Sequence, residues 1–231
     1  MSISVFGTCR LTGINNRNNL NEDISYLHST KEIIQFIHFI KGNLSIPSLI
    51  NTYCFRTSIM NKTVIPYNDT LRKIFTDTDI FVIELCSKKK YIYNNFFLHH
   101  LTFDKRFPYL YYIDTPPDII NNHTIEEQSD EEIENDILEI QKLLFPRKII
   151  IVSHYNSKLN NCYLQSRNEL IQLLTTICKK YNIYFVNPTD VLSSYPQNEI
   201  MESDLGHYTE KGLMLFTNYI NKYIDDIQNT P

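Results

Sequence analysis

The sequence begins with a short apolar run that ends in a turn, Ile3-Ser-Val-Phe-Gly-Thr-Cys-Arg10, and this run sets the architecture. The residues Ile3–Phe6 are rich in the β-branched and aromatic side chains that favour a strand. Gly7 tolerates close backbone approach or positive φ where the strand ends. Cys9 would then lie at the carboxyl end of the strand, where open α/β sheets bind ligands, and Arg10 would favour its thiolate. The alternative is that Cys9 acts only as a small buried hydrophobic residue. These eight residues, taken alone, favour that alternative.

Four further segments have the composition of buried strands, and helical segments separate them. The predicted strands comprise residues 53–57, 79–86, 148–154 and 183–186. One helix has a clear start, because Ser29 and Glu32 form the Ser-x-x-Glu pattern of a capping box. The alternation predicts an α/β protein, a three-layer α/β/α sandwich with a flavodoxin-like five-stranded parallel sheet. We expect the strand that starts at Ile3 near the centre of that sheet.

All 231 residues are expected to form a single domain, since a chain of this length can build one sizeable core. Residues 91–115 are dense in aromatic side chains and predict an insertion or lid over the sheet edge. Ordinary packing of an extra subdomain is the favoured interpretation, and a wall that binds glycan or acyl groups is the alternative. His99 and His100 lie in this segment without an obvious third metal ligand, so the sequence predicts no metal site.

Composition and charge exclude several classes of protein. A net charge of −4 and a pI near 6.0 provide no basic field for a nucleic-acid backbone. No run approaches the roughly 18 apolar residues of a membrane span, and the first residues lack the features of a secretory signal. The five cysteines are widely spaced and form no Cys-x-x-Cys pair, which indicates reduced thiols. We therefore expect a cytoplasmic protein with no nucleic-acid and no membrane partner, and its oligomeric state stays open.

Glu84 interrupts the otherwise apolar segment 79–86. A carboxylate inside a buried strand must be hydrogen-bonded or ion-paired, because burying it alone is costly. We expect Glu84 at the carboxyl edge of the sheet, paired near Ser87 and Arg56. A salt bridge that holds two loops together and a role in a functional site both remain open. His154, at the end of segment 148–154, is a further candidate at this edge.

A second polar group of residues lies between the last predicted strand and the last predicted helix, in Glu202-Ser-Asp-Leu-Gly-His-Tyr-Thr-Glu-Lys-Gly212. A carboxylate at Asp204 can accept a hydrogen bond from Nδ1 of His207, which leaves Nε2 to act as a base. The loop leaves its strand at the same edge of the sheet as Cys9. We therefore expect Cys9 Sγ and His207 Nε2 within contact range, with Asp204 on the far side of the imidazole.

These two motifs resemble those of the SGNH (GDSL-type) esterase and acyltransferase superfamily. Gly7-Thr8-Cys9 stands where that superfamily has a Gly-Asp-Ser turn, so the cysteine replaces the serine, and Asp204 and His207 match its C-terminal Asp-x-x-His. A Gly-Ser-Cys turn marks the relatives called GSCFA proteins, and a cysteine near the start is similar to acetyltransferases of bacterial capsule biosynthesis. The oxyanion glycine after strand two has no clear counterpart, and Glu84-Leu-Cys-Ser-Lys88 replaces the Gly-x-Asn-Asp block.

The resemblance implies an acyl-transfer enzyme, an esterase or O-acyltransferase with a sugar or glycan as the implied substrate. His207, oriented by Asp204, would deprotonate Cys9, and the thiolate would attack an ester or thioester carbonyl. The backbone N–H of Cys9, together with Ser87 or Arg56, would hold the oxyanion. The predicted oxyanion or substrate-binding residues are Arg10, Arg56, Ser87, Glu84 and His154.

Two other functions were weighed against this one. A non-catalytic binding module of the same fold is favoured by the missing oxyanion motif and opposed by the intact Asp204 and His207. A phosphatase or nuclease is disfavoured because the sequence lacks clustered carboxylates for metals. The expected partner is a small molecule or carbohydrate. No cofactor is required, although a transferase would need an acyl donor such as acyl-CoA.

Overall fold

The computed structural model describes residues 1–18, 26–104 and 117–229. Its strands are β1 (Ile3–Phe6), β2 (Ile80–Leu85), β3 (Lys89–Tyr93), β4 (Phe96–Leu98), β5 (Thr124–Glu127), β6 (Lys148–Ser153), β7 (Lys158–Leu159), β8 (Cys162–Tyr163) and β9 (Tyr184–Val186). Its α-helices are α1 (Thr30–Ile40), α2 (Ser48–Cys54), α3 (Arg56–Asn61), α4 (Asp69–Thr76), α5 (Pro117–Asn122), α6 (Asp130–Leu144), α7 (Gln165–Lys180), α8 (Pro188–Leu192), α9 (Gln197–Ile200) and α10 (Glu210–Gln228). Single turns of 3-10 helix comprise Cys9–Leu11 and His100–Phe103.

The described residues build a central parallel sheet of four strands in the order β1-β2-β6-β9. Val82 of β2 lies opposite Val5 on one side and Ile150 on the other. Every residue of β1 and β2 is buried, as expected for parallel strands that are covered on both faces. The prediction of an α/β fold with a parallel sheet is therefore confirmed.

Helices cover both faces of this sheet. Phe6, Phe81 and Ile151 point to one face, where they join a core with residues of α1, α6 and α7. Val5 and Val82 are the chain neighbours of Phe6 and Phe81; they point to the opposite face and join a core with α10. This alternation follows from the two-residue period of a strand, and it gives the three predicted layers.

The predicted fifth strand is wrong, because residues 53–57 are helical in structure. They fall at the junction of α2 and α3, with Phe55 in an extended conformation between the two helices. Ile50, Tyr53 and Cys54 are all buried, and their spacing of three and one places them on one face of a helix. The helical period of that wider segment outweighs the β-rich composition of its last residues.

The position of β1 also differs from the prediction, since this strand lies at an edge of the described sheet rather than near its centre. Its outer side is partly covered by residues 16–18 through one isolated parallel bridge between Ile3 and Arg17. The Ile3 N–H donates to Asn16 O at 3.2 Å, and the Asn18 N–H donates to Ile3 O at 2.8 Å. A short polar loop thus satisfies part of the strand edge that a fifth strand would otherwise pair.

The described part of the predicted insertion, residues 91–104, is a packed unit. The strands β4, β3 and β5 form an antiparallel sheet in that order. The side chain of Gln35 in α1 forms two 2.7 Å hydrogen bonds with the backbone of Phe97, and the His99 N–H donates to Tyr53 O at 2.8 Å. Residues 105–115 of the predicted lid lie outside the described residues. Within the part of the chain that is described, none of the helices combines the length and apolar character needed to cross a membrane.

Candidate active site

A cavity of about 470 Å³ opens at the carboxyl edge of the central sheet. Cys9 follows β1, Cys86 follows β2 and His154 follows β6, so three neighbouring strands each contribute a side chain to its wall. The loop before α10 contributes Asp204 and His207. The two motifs at opposite ends of the chain therefore line one cavity, and contact between Cys9 Sγ and His207 Nε2 stays a prediction.

Cys9 begins a single turn of 3-10 helix directly after β1. The side chain of Thr8 caps this turn by accepting a 3.4 Å hydrogen bond from the Arg10 N–H. Gly7 is required by close packing, because a Cβ atom there would lie 2.8 Å from Leu11 Cδ1 and 3.0 Å from Glu84 Cβ. The half-buried Cys9 thiol is consequently presented to the cavity on a short and well-supported turn.

Glu84 holds this turn against β2. Its carboxylate accepts hydrogen bonds from the Thr8 N–H at 2.9 Å, from Thr8 Oγ1 at 2.6 Å and from Arg10 Nε at 2.5 Å. Only 1% of its side chain is exposed. Burial acts to lower the pKa of Arg10, but the charge of Glu84, the charge of Cys86 and the hydrogen bond to Glu84 together outweigh burial and hold the pKa above its ordinary value. The prediction that Glu84 is paired is confirmed, and its partners are Thr8 and Arg10 in place of the expected Ser87 and Arg56.

Asp204 and His207 form a directed pair. Asp204 Oδ2 lies 2.5 Å from His207 Nδ1, and Oδ1 accepts from the backbone N–H groups of Gly206 and His207 at 2.8 and 3.0 Å. The hydrogen bond from His207, followed by that from the Gly206 N–H, holds the pKa of Asp204 well below its ordinary value. The ionised carboxylate favours the tautomer with a proton on Nδ1, which leaves Nε2 as a proton acceptor. Asp204 thus pairs with the Nδ1 side of the imidazole.

Two arginines connect this loop to the rest of the site. Arg10 Nη1 donates to Gly206 O at 2.7 Å, and Arg167 Nη1 donates to Leu205 O at 2.7 Å. Leu205 has a φ of 58°, a left-handed conformation that is unfavourable for a leucine. The arginines thus hold two successive carbonyl groups of the loop that carries Asp204 and His207.

Arg167 was not singled out from the sequence. A cation in the first turn of α7 opposes the helix dipole, and this unfavourable location is a signal that could have identified it. Its Nη1 also donates to Tyr155 O at 3.1 Å and to Ser157 Oγ at 2.9 Å. The side chain therefore joins the loop after β6 to the loop before α10.

The other predicted site residues are Arg56, His154 and Ser87. Arg56 and His154 line the cavity; the Arg56 guanidinium lies 4.5 Å from the centre of the Tyr26 ring. Burial, followed by the charges of Arg10 and Arg167, lowers the pKa of His154 well below its ordinary value.

The placement predicted for Ser87 is wrong. Its hydroxyl accepts from the Lys89 N–H at 3.0 Å and lines a separate depression. The N–H groups of Cys86 and Ser87 both donate to His28 O at 3.3 Å, and this turn presents Cys86 rather than Ser87 to the cavity.

A cluster of three histidines forms another part of the cavity wall. Its members are His28, His99 and His100, and each offers a ring nitrogen within 4.8 Å of those of the other two. His28 lies in the loop before α1, about 70 residues before His99 and His100 in the sequence. No local sequence pattern therefore predicts that it joins them. These side chains are the group of described residues whose donors and spacing suit a metal ion.

Comparison with known proteins gives one family match and one curated relative. The sequence model of the TviD N-terminal domain family matches residues 1–114 and 114–222. The chain is 24% identical over 254 residues to the Vi polysaccharide biosynthesis protein TviD of Salmonella typhi, and the alignment covers 90% of this chain and 30% of that protein. The chain thus spans about a third of the length of this relative.

Solved structures that superimpose on this chain include two hydrolases, each with a TM-score below 0.5. A lipase/acylhydrolase from Enterococcus faecalis superimposes with a TM-score of 0.47 at 14% identity, covering 97% of this chain and 95% of that one. A variant of the acetyl-xylooligosaccharide esterase Axe2 from Geobacillus superimposes with a TM-score of 0.42 at 11% identity, covering 96% and 92% of the two chains.

Proposed function

Since the chain belongs to the TviD N-terminal domain family, we propose that it is an acyl-transfer enzyme with Cys9 as nucleophile, His207 as general base and Asp204 as the group that orients His207. The observation that carries the proposal is that Cys9 and the Asp204–His207 pair line one cavity, although about 200 residues separate them in sequence. A nucleophile, a base and an orienting carboxylate are the three parts that covalent acyl transfer requires.

The first half of the reaction forms an acyl-cysteine. His207 Nε2 accepts the proton from Cys9 Sγ, and the thiolate attacks the carbonyl carbon of an ester or thioester to form a tetrahedral intermediate. The intermediate collapses by breaking the bond to the leaving oxygen or sulfur, which takes the proton back from His207. The ionised Asp204 stabilises the imidazolium that exists between these two proton transfers.

The second half regenerates the enzyme. His207 removes a proton from water or from a hydroxyl group, the resulting oxygen nucleophile attacks the acyl carbon, and the Cys9 thiolate leaves and is reprotonated. Water as acceptor gives an esterase, and a hydroxyl acceptor gives an O-acyltransferase with a donor such as acyl-CoA. A sugar hydroxyl is the acceptor that we propose, because the curated relative is a polysaccharide biosynthesis protein.

The oxyanion of the intermediate requires hydrogen-bond donors. The Cys9 N–H is the first donor that we propose, since the first N–H groups of a helical turn have no partner within the turn. Arg56, whose guanidinium is at the cavity wall, is the second. Glu84, Thr8 and Arg10 would act one step away, by holding the backbone of the nucleophile turn in place.

A non-catalytic binding module is the second candidate function. It is favoured by one observation, that the Ser87 hydroxyl is turned away from the cavity and bonded to the Lys89 N–H, so that this expected oxyanion donor is missing. A binding module would hold its ligand in the same cavity and form no covalent intermediate.

Acyl-enzyme formation separates the two candidates. The protein is incubated with an activated acetyl ester and with acetyl-CoA, and intact mass followed by peptide mapping locates any acetyl group. We expect an acetyl group on Cys9, its absence from Cys9→Ala, and formation slowed by about 10²–10⁴-fold in His207→Ala, the usual contribution of a general base. Cys162→Ala, which removes an exposed cysteine on β8, is the matched control and should be labelled at Cys9 like the unaltered protein.

Asp204→Asn refines this test. It should bind substrate normally and turn over more slowly, because an uncharged amide no longer favours the Nδ1–H tautomer or stabilises the imidazolium. Equal labelling of Cys9→Ala and the unaltered protein would remove Cys9 from the mechanism. Ligand binding without labelling under any of these conditions would establish the binding module.

A further inference from the structure

The cluster His28–His99–His100 is not used by the acyl-transfer mechanism. The ring centres of His28 and His100 are 4.2 Å apart, those of His99 and His100 are 4.5 Å apart, and those of His28 and His99 are 5.4 Å apart. Three imidazoles in mutual contact bury polar nitrogen atoms, which is costly unless they find partners. The cluster lines the same cavity as Cys9 and His207.

The hydrogen bonds around His99 identify which of its nitrogen atoms can act as a ligand. The Leu101 N–H donates to His99 Nδ1 at 3.2 Å, so Nδ1 carries a lone pair and the proton is on Nε2. Nε2 accordingly donates to Tyr26 O at 2.7 Å. A ring N–H held by a backbone carbonyl is the outer contact that metal-binding histidines usually have, and a metal ion would replace the longer bond from Leu101.

His28 is held in a comparable way. Its Nδ1 lies 3.0 Å from Cys86 Sγ, which orients the ring and leaves Nε2 as the second nitrogen. Burial first, and then the charges of His100, His99 and Arg10, lower the pKa of His28 well below its ordinary value. Burial and His100 lower the pKa of His99 in the same direction. Contacts hold both rings in fixed orientations, His28 against Cys86 Sγ and His99 against Tyr26 O.

We propose that His28, His99 and His100 bind a divalent transition-metal ion, with Zn²⁺ as the first candidate, at the wall of the cavity that contains Cys9 and His207. Three imidazoles with an accessible fourth position are a donor set that Zn²⁺ takes in proteins. Zinc–nitrogen bonds of about 2.0–2.1 Å place tetrahedral ligands about 3.3 Å apart. Each ring offers one nitrogen atom within 4.8 Å of those of the other two, so the three atoms would need to approach by at most about 1.5 Å to bind one ion.

Cys9, His207 and Asp204 could compete for the same ion, so the binding test uses the Cys9→Ala protein. This protein is freed of metal with a chelator and titrated with Co²⁺, a spectroscopic substitute for Zn²⁺. We expect one Co²⁺ per chain, visible ligand-field bands of a four-coordinate ion, no thiolate-to-metal band in the near ultraviolet, and displacement by Zn²⁺. The readout does not depend on acyl transfer, so this proposal and the proposed function can fail separately.

Variants of the cluster assign the site. His28→Gln and His100→Gln, both at half-buried positions, should each weaken Co²⁺ binding by more than about 100-fold, since loss of an outer contact alone costs about 10–100-fold. His38→Gln is the matched control, because His38 is on α1 and pairs with Glu139 at 3.5 Å; it should bind Co²⁺ unchanged. Circular dichroism checks that each variant is folded.

Four results would overturn the proposal. The first is no stoichiometric Co²⁺ binding by Cys9→Ala. The second is undiminished binding by both His28→Gln and His100→Gln. The third is binding by the unaltered protein that shows a thiolate band and disappears in Cys9→Ala, which would place the ion on Cys9 and His207 instead. Persistence of a thiolate band in Cys9→Ala and its loss on adding Cys86→Ser would also contradict a site made of three imidazoles.

Discussion

The buried ion pair between Arg10 and Glu84, beneath the turn that carries Cys9, gives a quantitative prediction. Glu84→Gln keeps the shape of the side chain and removes its charge, so that Arg10 becomes a buried cation without a counter-charge. The exposed fractions of the Arg10 and Glu84 side chains are 8% and 1%, and the two are 2.5 Å apart. Removing one partner of such a pair costs about 3–5 kcal/mol of unfolding free energy, a large part of the roughly 5–15 kcal/mol that stabilises a typical domain.

Urea unfolding followed by far-ultraviolet circular dichroism measures this loss. The double variant Arg10→Met/Glu84→Gln should lose less than the sum of the two single variants, by a coupling of about 1–3 kcal/mol, because no charge is left unpaired. Glu199→Gln is the control, since Glu199 pairs with Lys211 where the two side chains are 45% and 47% exposed. Such exposed pairs contribute about 0–1 kcal/mol.

The reasoning would be refuted if Glu84→Gln lost no more free energy than Glu199→Gln. It would also be refuted if the single variants at Arg10 and Glu84 were additive, since additivity means that the two charges do not stabilise each other in the folded protein. A change in the denaturant slope as well as the midpoint would indicate an altered unfolded state, and the comparison would then use thermal unfolding.

Three other predictions concern pH, loop position and packing. Burial raises the pKa of Glu32 from 4.5 to about 7, so between pH 4.5 and about 7 the folded protein keeps a proton that the unfolded chain has lost. The free energy of unfolding should therefore fall as the pH rises through this range. The fall should be about 3 kcal/mol larger in the unaltered protein than in Glu32→Gln, which has no carboxyl group at this position. Arg167→Met should lower kcat by about 10–100-fold by releasing Leu205 O while the protein stays folded, and Arg167→Lys should restore part of the loss. Gly212→Ala should destabilise the protein by about 1–3 kcal/mol or more, because its Cβ would lie 2.1 Å from Ile200 O.

Each of these three predictions has a control or an outcome that would contradict it. His28, His99 and His154 have lowered pKa values and make stability rise with pH. Only the difference between the unaltered protein and Glu32→Gln, measured by urea unfolding across the pH range, therefore isolates Glu32. A parallel pH dependence of the two proteins would contradict the assignment. Gly206→Ala should be tolerated in the same assay as Gly212→Ala, since the nearest atom to its Cβ would be 3.6 Å away. An unchanged kcat in Arg167→Met would show that the loop keeps its position without that arginine.

Several local features could be predicted because their causes lie within a few residues. Ser29 and Glu32 form the capping box that starts α1, since the side chains and N–H groups involved are three residues apart. Asp204 and His207 pair for the same reason. The apolar runs that become β2 and β6 were recognised because parallel strands buried on both faces are apolar throughout.

Other expectations failed where a wider context decides. Residues 53–57 look like a strand when they are read alone, but the apolar period that begins at Ile50 makes the longer segment helical. The Ser87 hydroxyl accepts a hydrogen bond from the Lys89 N–H in a local turn. As a result Cys86, and not Ser87, faces the cavity. In both cases a neighbouring interaction outweighs the preference of the short segment.

The sequence alone thus determined the four strands of the central sheet, the turn that carries Cys9 and the Asp204–His207 pair, because each depends on short-range periodicity or spacing. Only the tertiary structure decided that Arg10 reaches Gly206 O, 196 residues away, and that His28 joins His99 and His100. Such contacts depend on the register of parallel strands and on the crossovers that bring distant loops to one edge of the sheet. Their free energy comes from the hydrogen bonds and ion pairs that buried charges and imidazoles form with particular partners, and no pattern along the chain encodes which partners those are.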